Sequence, residues 1–78
     1  MKTTKYFDSL KNRVDRINIK DNWIKAVIDR PIKIEVQTDG RYRLWGQIKE
    51  MDGRYLRVVL LEDGETVHNA FFDRGFKL

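Results

Sequence analysis

The stretch that decides the fold is residues 32–72, IKIEVQTDGRYRLWGQIKEMDGRYLRVVLLEDGETVHNAFF. It opens with Ile32, Ile34 and Val36 alternating with Lys33, Glu35 and Gln37, the period of two expected of a half-buried strand. Three Asp-Gly pairs follow, at residues 39–40, 52–53 and 63–64, each between apolar-rich runs. Asp-Gly favours tight hairpins because both positions tolerate positive φ. The spacing predicts an antiparallel four-stranded meander over about residues 32–38, 41–50, 54–62 and 65–72.

Upstream of this stretch the period lengthens. Tyr6, Phe7, Leu10, Val14 and Ile17 recur at helical spacing among polar residues, predicting a first helix over about residues 4–18. A second is expected over about residues 21–29, with Asp21 at its positive end, Ile24, Val27 and Ile28 as its stripe, and Pro31 ending it. Trp23 either extends that stripe or lies at an interface. The expected fold is therefore α+β, two N-terminal helices packed on one face of the meander, in a single domain covering residues 1–78.

The turns propose a register. A two-residue third turn sets Glu62 against Glu65, Val59 against His68, Arg57 against Ala70 and Tyr55 against Phe72. A middle hairpin centred on Asp52 sets Lys49 against Tyr55 and Gln47 against Arg57. In the first hairpin, a three-residue loop that includes Arg41 keeps Ile32, Ile34 and Val36 in the core. One face then carries Tyr42, Leu44, Gly46, Ile48, Leu56, Val58, Leu60, Val67, Asn69 and Phe71 beneath the helices. The opposite, open face carries Arg41, Arg43, Trp45, Gln47, Lys49, Tyr55, Arg57, Val59, Leu61, Thr66, His68, Ala70 and Phe72.

Charge sharpens this division. From Arg41 onward the carboxylates fall at turns or in the tail, so the open face is expected to be cationic and free of negative charge. The net charge of +4 is not concentrated in a tail. Nine basic residues stand against six acidic ones in residues 1–40, and seven against six in 41–78. Cations beside aromatic rings suit RNA, which offers phosphates and unstacked bases. Metal-free RNA cleavage needs a base for the 2′-hydroxyl, a cation for the phosphate and an acid for the leaving oxygen. His68 is the candidate proton carrier, since only its unperturbed pKa lies near neutrality. Arg43, Lys49 and Arg57 are the electrostatic candidates. Arg41, Tyr55, Trp45 and Arg74 are candidate RNA contacts, with Arg74 either reaching this face or pairing with Asp73. A competing reading makes Trp45, Tyr55, Phe72 and Leu61 an apolar patch that docks a protein partner or forms a homodimer.

Other chemistries lack their residues. One histidine and no cysteine argue against a zinc site, and no glycine-rich phosphate or dinucleotide motif is present. No cofactor is expected. No run approaches the roughly 20 apolar residues of a membrane span. The start lacks a signal-peptide core, so a cytoplasmic location is expected.

The chain resembles the RelE/BrnT-like toxin superfamily, in particular a bacterial group near BrnT. The likeness runs through Arg13-Val14-Asp15-Arg16, Ile19, Trp23-Ile24, Pro31, residues 39–43, residues 55–59 and the closing segment from Val67 to Arg74. It implies an open RNA-facing surface and neutralisation by a small antitoxin. Active members cleave mRNA, in some cases bound to the ribosome, which would make the chain a metal-independent endoribonuclease. Transferred by position, the resemblance points to Arg43, Lys49, Arg57 and His68, with Tyr55 and Arg74 behind them. One departure is Tyr6, where BrnT-like chains often carry a histidine in the first helical turn, and the terminal helix that some relatives add is not expected within residues 73–78.

Overall fold

The structure is a computed structural model that describes residues 1–13 and 18–78. Two helices, α1 (Lys5–Leu10) and α2 (Asp21–Asp29), precede strands β1 (Lys33–Val36), β2 (Tyr42–Ile48), β3 (Arg54–Leu60) and β4 (Val67–Phe72). The strands form one antiparallel sheet in the order β1-β2-β3-β4. The expected α+β meander is present. No helix among the described residues is long and apolar enough to cross a membrane.

The first helix is shorter than its periodicity predicts. Thr4 caps it by accepting the Phe7 N–H, and it buries Phe7 and Leu10 before residues 11–13 turn away. The polar Lys11-Asn12-Arg13 run offers no further apolar group to bury. Val14 and Ile17 lie outside the described residues. Helix α2 follows expectation and buries Trp23, Ile24 and Val27. The indole N–H of Trp23 donates to Glu50 at 2.8 Å. Helix α2 packs over β2 and β3, and α1 over β4. At Gly46 of β2 the approach is so close that an added Cβ would lie 2.8 Å from Val27 Cγ2. Glycine is required there by the packed helix rather than by a turn.

Each hairpin corrects a detail of the proposed register. The first has a three-residue loop, but it is Thr38-Asp39-Gly40, and the Gln37 N–H bonds the Arg41 carbonyl. Ile34 therefore faces Leu44 and Val36 faces Tyr42, which keeps both on the helix side of the sheet. They are nevertheless not core residues: Ile32, Ile34 and Val36 are 46%, 56% and 64% exposed. Among the described residues the helices pack mainly over the middle and the β4 side of the sheet.

In the middle hairpin the register is shorter by two residues, pairing Gln47 with Tyr55 and Trp45 with Arg57. Lys49 leaves the ladder and begins a short 3-10 turn, Lys49–Met51, followed by Asp52 and Gly53 at φ 56° and 73°. Met51 packs against the core and Glu50 holds the Trp23 indole, so the chain bends away before Lys49 can join the open face.

The third hairpin begins as proposed, with Leu60 opposite Val67, and then slips. A bulge shifts β4 by one residue, so Val59 faces Asn69, Val58 faces Ala70, Arg57 faces Phe71 and Leu56 faces Phe72. One extra residue reverses the faces beyond it. Ala70 becomes core, Phe72 packs edge-on against Trp23, and Asn69 and Phe71 move to the open side. Glu62 and Glu65 lie in the loop, where Lys2 pairs with Glu65 at 3.2 Å.

Candidate functional site

The open face is built by odd-numbered positions of the first three strands. Lys33, Trp45, Arg57 and Phe71 form one row across the sheet, and Glu35, Arg43, Val59 and Asn69 form the next. Arg43 and Arg57 are thus diagonal neighbours, close enough for long side chains to interact. Their electrostatics agree: burial, then the Arg43 charge, lowers the Arg57 pKa, while Asp73 and Glu35 oppose the shift. Arginine stays protonated at any physiological pH, so the two positive charges coexist.

This face is not free of negative charge, contrary to expectation. Glu35 lies directly opposite Arg43. The carboxylate of Asp73 accepts the Trp45 indole N–H at 3.0 Å and lies 3.7 Å from the Arg57 guanidinium. Glu35 comes from β1, ahead of Arg41 in the chain, and Asp73 belongs to a tail that folds back over the sheet.

That tail divides the face in two. Phe76 stacks on Trp45 at 5.0 Å and tilts against Tyr55 at 4.9 Å. Arg57 lies between the rings of Trp45 and Phe71, at 5.6 and 5.2 Å. Trp45 is consequently 4% exposed and cannot offer its plane to a base. The result is a small second core, with a cation sandwiched in it. Phe76 was absent from the expected site, although a lone aromatic in the polar Arg74-Gly75-Phe76-Lys77 tail is itself a signal for burial. Arg74 is exposed beside a shallow cleft lined also by Arg54, Tyr55 and Phe76. Asp73 turns from it to Trp45, Arg57 and the Gly75 N–H.

The other half remains open. Arg41, Arg43 and Asn69 are partly exposed there, around a buried Val59. The Gln37 carboxamide, with its oxygen toward Arg43, accepts from that guanidinium and donates to Asp39.

His68 is not beside Arg57. As the extra residue of the bulge it leaves the open face, stacking on Tyr6 of α1 at 4.9 Å and hydrogen bonding Thr4 Oγ1 through Nδ1 at 3.1 Å. Burial lowers its pKa, as does the charge of Arg41, with Asp39 opposing. Of the four proposed catalytic residues, the fold brings together Arg43 and Arg57 and separates Lys49 and His68 from them. Of the expected Trp45/Tyr55/Phe72 docking patch, Trp45 is covered by Phe76 and Phe72 packs on the helix side against Trp23, while Tyr55 and Phe72 both line the cleft beside Arg74.

Among the described residues no group of three or more His, Asp or Glu is placed to hold a metal ion. The class defined by these observations is a small α+β domain whose sheet pairs a helix-covered face with a cationic face half closed by its own tail. The chain matches no protein-family model, no curated protein and no solved structure.

Proposed function

We propose that the protein binds RNA through the open half of the sheet, as a non-cleaving, toxin-like member of the RelE/BrnT superfamily paired with a small antitoxin in the bacterial cytoplasm. The observation that carries this reading is Arg43, partly exposed on the open half, with Arg57 adding positive charge diagonally behind it from beneath the tail, where Asp73 already pairs with it. Arg41 extends the cationic line, and Asn69 adds a polar side chain beside it. Binding without cutting is preferred because the imidazole of His68 is engaged by α1 and Thr4, and Lys49 lies beyond the strand. Neither stands where it could assist attack on a phosphate held at Arg43.

Fluorescence anisotropy with a short unstructured RNA, across a salt series, tests this. Affinity should fall with salt at a log–log slope of about −0.7 per phosphate engaged. Arg43→Glu should weaken binding by tenfold or more, about 1.4 kcal/mol, whereas Lys25→Glu on the exposed side of α2 should have much less effect. Equal losses from both substitutions, or no binding at low salt, would overturn the proposal. RNA recovered intact after incubation is the expected result for the cleavage arm.

A further inference from the structure

The strongest unexplained feature lies at the opposite corner of the molecule. Among the described residues strand β1 ends the sheet, and no further strand follows it in the pairing order. In an antiparallel ladder alternate residues exchange hydrogen bonds with the neighbouring strand. The Gln37 N–H bonds β2, so Lys33, Glu35 and Gln37 point their main-chain groups inward, while Ile34 and Val36 turn theirs toward the free edge. The same two residues place large aliphatic side chains in solvent on the helix side, while Ile32, just before the strand, is exposed too but turns its N–H inward to the Trp45 carbonyl. An exposed apolar edge strand invites another strand.

We propose that this strand is β1 of a second copy of the chain, paired antiparallel about a two-fold axis through Ile34. The sequence of the edge is self-complementary at that register and at no neighbouring one. Centred on Ile34, Lys33 meets Glu35 of the partner subunit twice over, and Ile34 meets its own symmetry mate. A shift centred on Glu35 sets glutamate against glutamate, and one centred on Lys33 sets lysine against lysine, both unfavourable. A shift to an intermediate centre would turn the aliphatic residues of one copy to the polar face of the other. Ile34 donates and accepts with its own symmetry mate, using the outward main-chain groups identified above. Within one chain Lys33 and Glu35 already approach to 3.8 Å, so the four charges would form an alternating row on the open face.

The pairing makes one eight-stranded sheet and joins the aliphatic strips of both copies into a continuous surface. It also sets the two open cationic faces side by side, an outcome that does not depend on what those faces bind. The contact involves one short strand from each copy, which places it among small interfaces and makes the dimer concentration-dependent.

Sedimentation equilibrium of the full chain over a concentration series provides the test. The wild type should dimerise reversibly. Lys33→Glu and Glu35→Lys should each raise the dissociation constant by about tenfold or more, because each sets like charges across the axis. Mixing these two variants in equal amounts should restore dimers, as should the double exchange Lys33→Glu/Glu35→Lys in one chain. Circular dichroism checks that each variant stays folded, which both exposed positions permit. A wild type that remains monomeric at millimolar concentration overturns the proposal. So does a dimer that neither substitution weakens, or one that mixing fails to restore.

Discussion

At the β4 edge of the sheet, the N-terminal segment occupies the strand: the Val67 N–H bonds the Lys2 carbonyl, and its carbonyl takes the Thr4 N–H. Helix α1 lies above, and the bulge at Val59/Leu60 bends the ladder. At the β1 edge, Ile34 and Val36 carry the same aliphatic signal yet face water. Alternation along a strand reports which side its residues take, and burial depends on whether another element covers that side. Both edges obey the first rule and only one satisfies the second.

The largest expected contrast is in stability. Leu56, fully buried between the helices and the sheet, should cost about 2–5 kcal/mol when replaced by alanine. Ile34→Ala, measured in dilute monomer, should change stability by no more than about 0.5 kcal/mol. Urea denaturation of the two variants checks this, and comparable losses would mean that β1 is covered after all.

A smaller effect is expected where the tail closes the open face. Phe76→Ala removes the ring stacked on Trp45 and should cost about 0.5–1.5 kcal/mol. Trp45 would then meet water, so tryptophan emission should shift to longer wavelength. An unchanged spectrum would show that Phe76 does not shield the indole.

The subtlest difference concerns titration at the β4 edge. Burial and the Arg41 charge hold the folded His68 pKa below its ordinary value of 6.5. Between those two values the unfolded chain binds more protons. The stabilising contribution is therefore complete above 6.5 and is lost as pH falls through the folded value. NMR titration of His68 should give a midpoint under 6.5, moving back toward it in Tyr6→Ala, where the stacked ring is gone. A midpoint at or above 6.5 would remove His68 from the buried part of this edge.

Much of the architecture was legible from the residues. Period-two alternation marked the strands, Asp-Gly marked the hairpins, and Pro31 marked the end of α2. The β2 and β3 faces followed from parity, which a two-residue register error leaves unchanged. Beyond the bulge the same logic failed. Ala70-Phe71-Phe72 is apolar at every position, so nothing in it reports a slip of one residue, and His68 was assigned to the wrong side. The site suffered more than the fold because it drew on side chains from three strands and the tail. A single displaced residue could then separate its base from its cations.

Local chemistry thus settled the kinds of element, their order and the faces of the central strands, since backbone sterics and apolar periodicity act over a few residues. Tertiary packing alone decided that the tail would neutralise and cover half of the cationic face. It also decided that His68 would leave that face, and that three aliphatic residues would stay in water. Those outcomes depend on which surfaces the helices and the tail can reach across the sheet, and no short-range pattern encodes that reach.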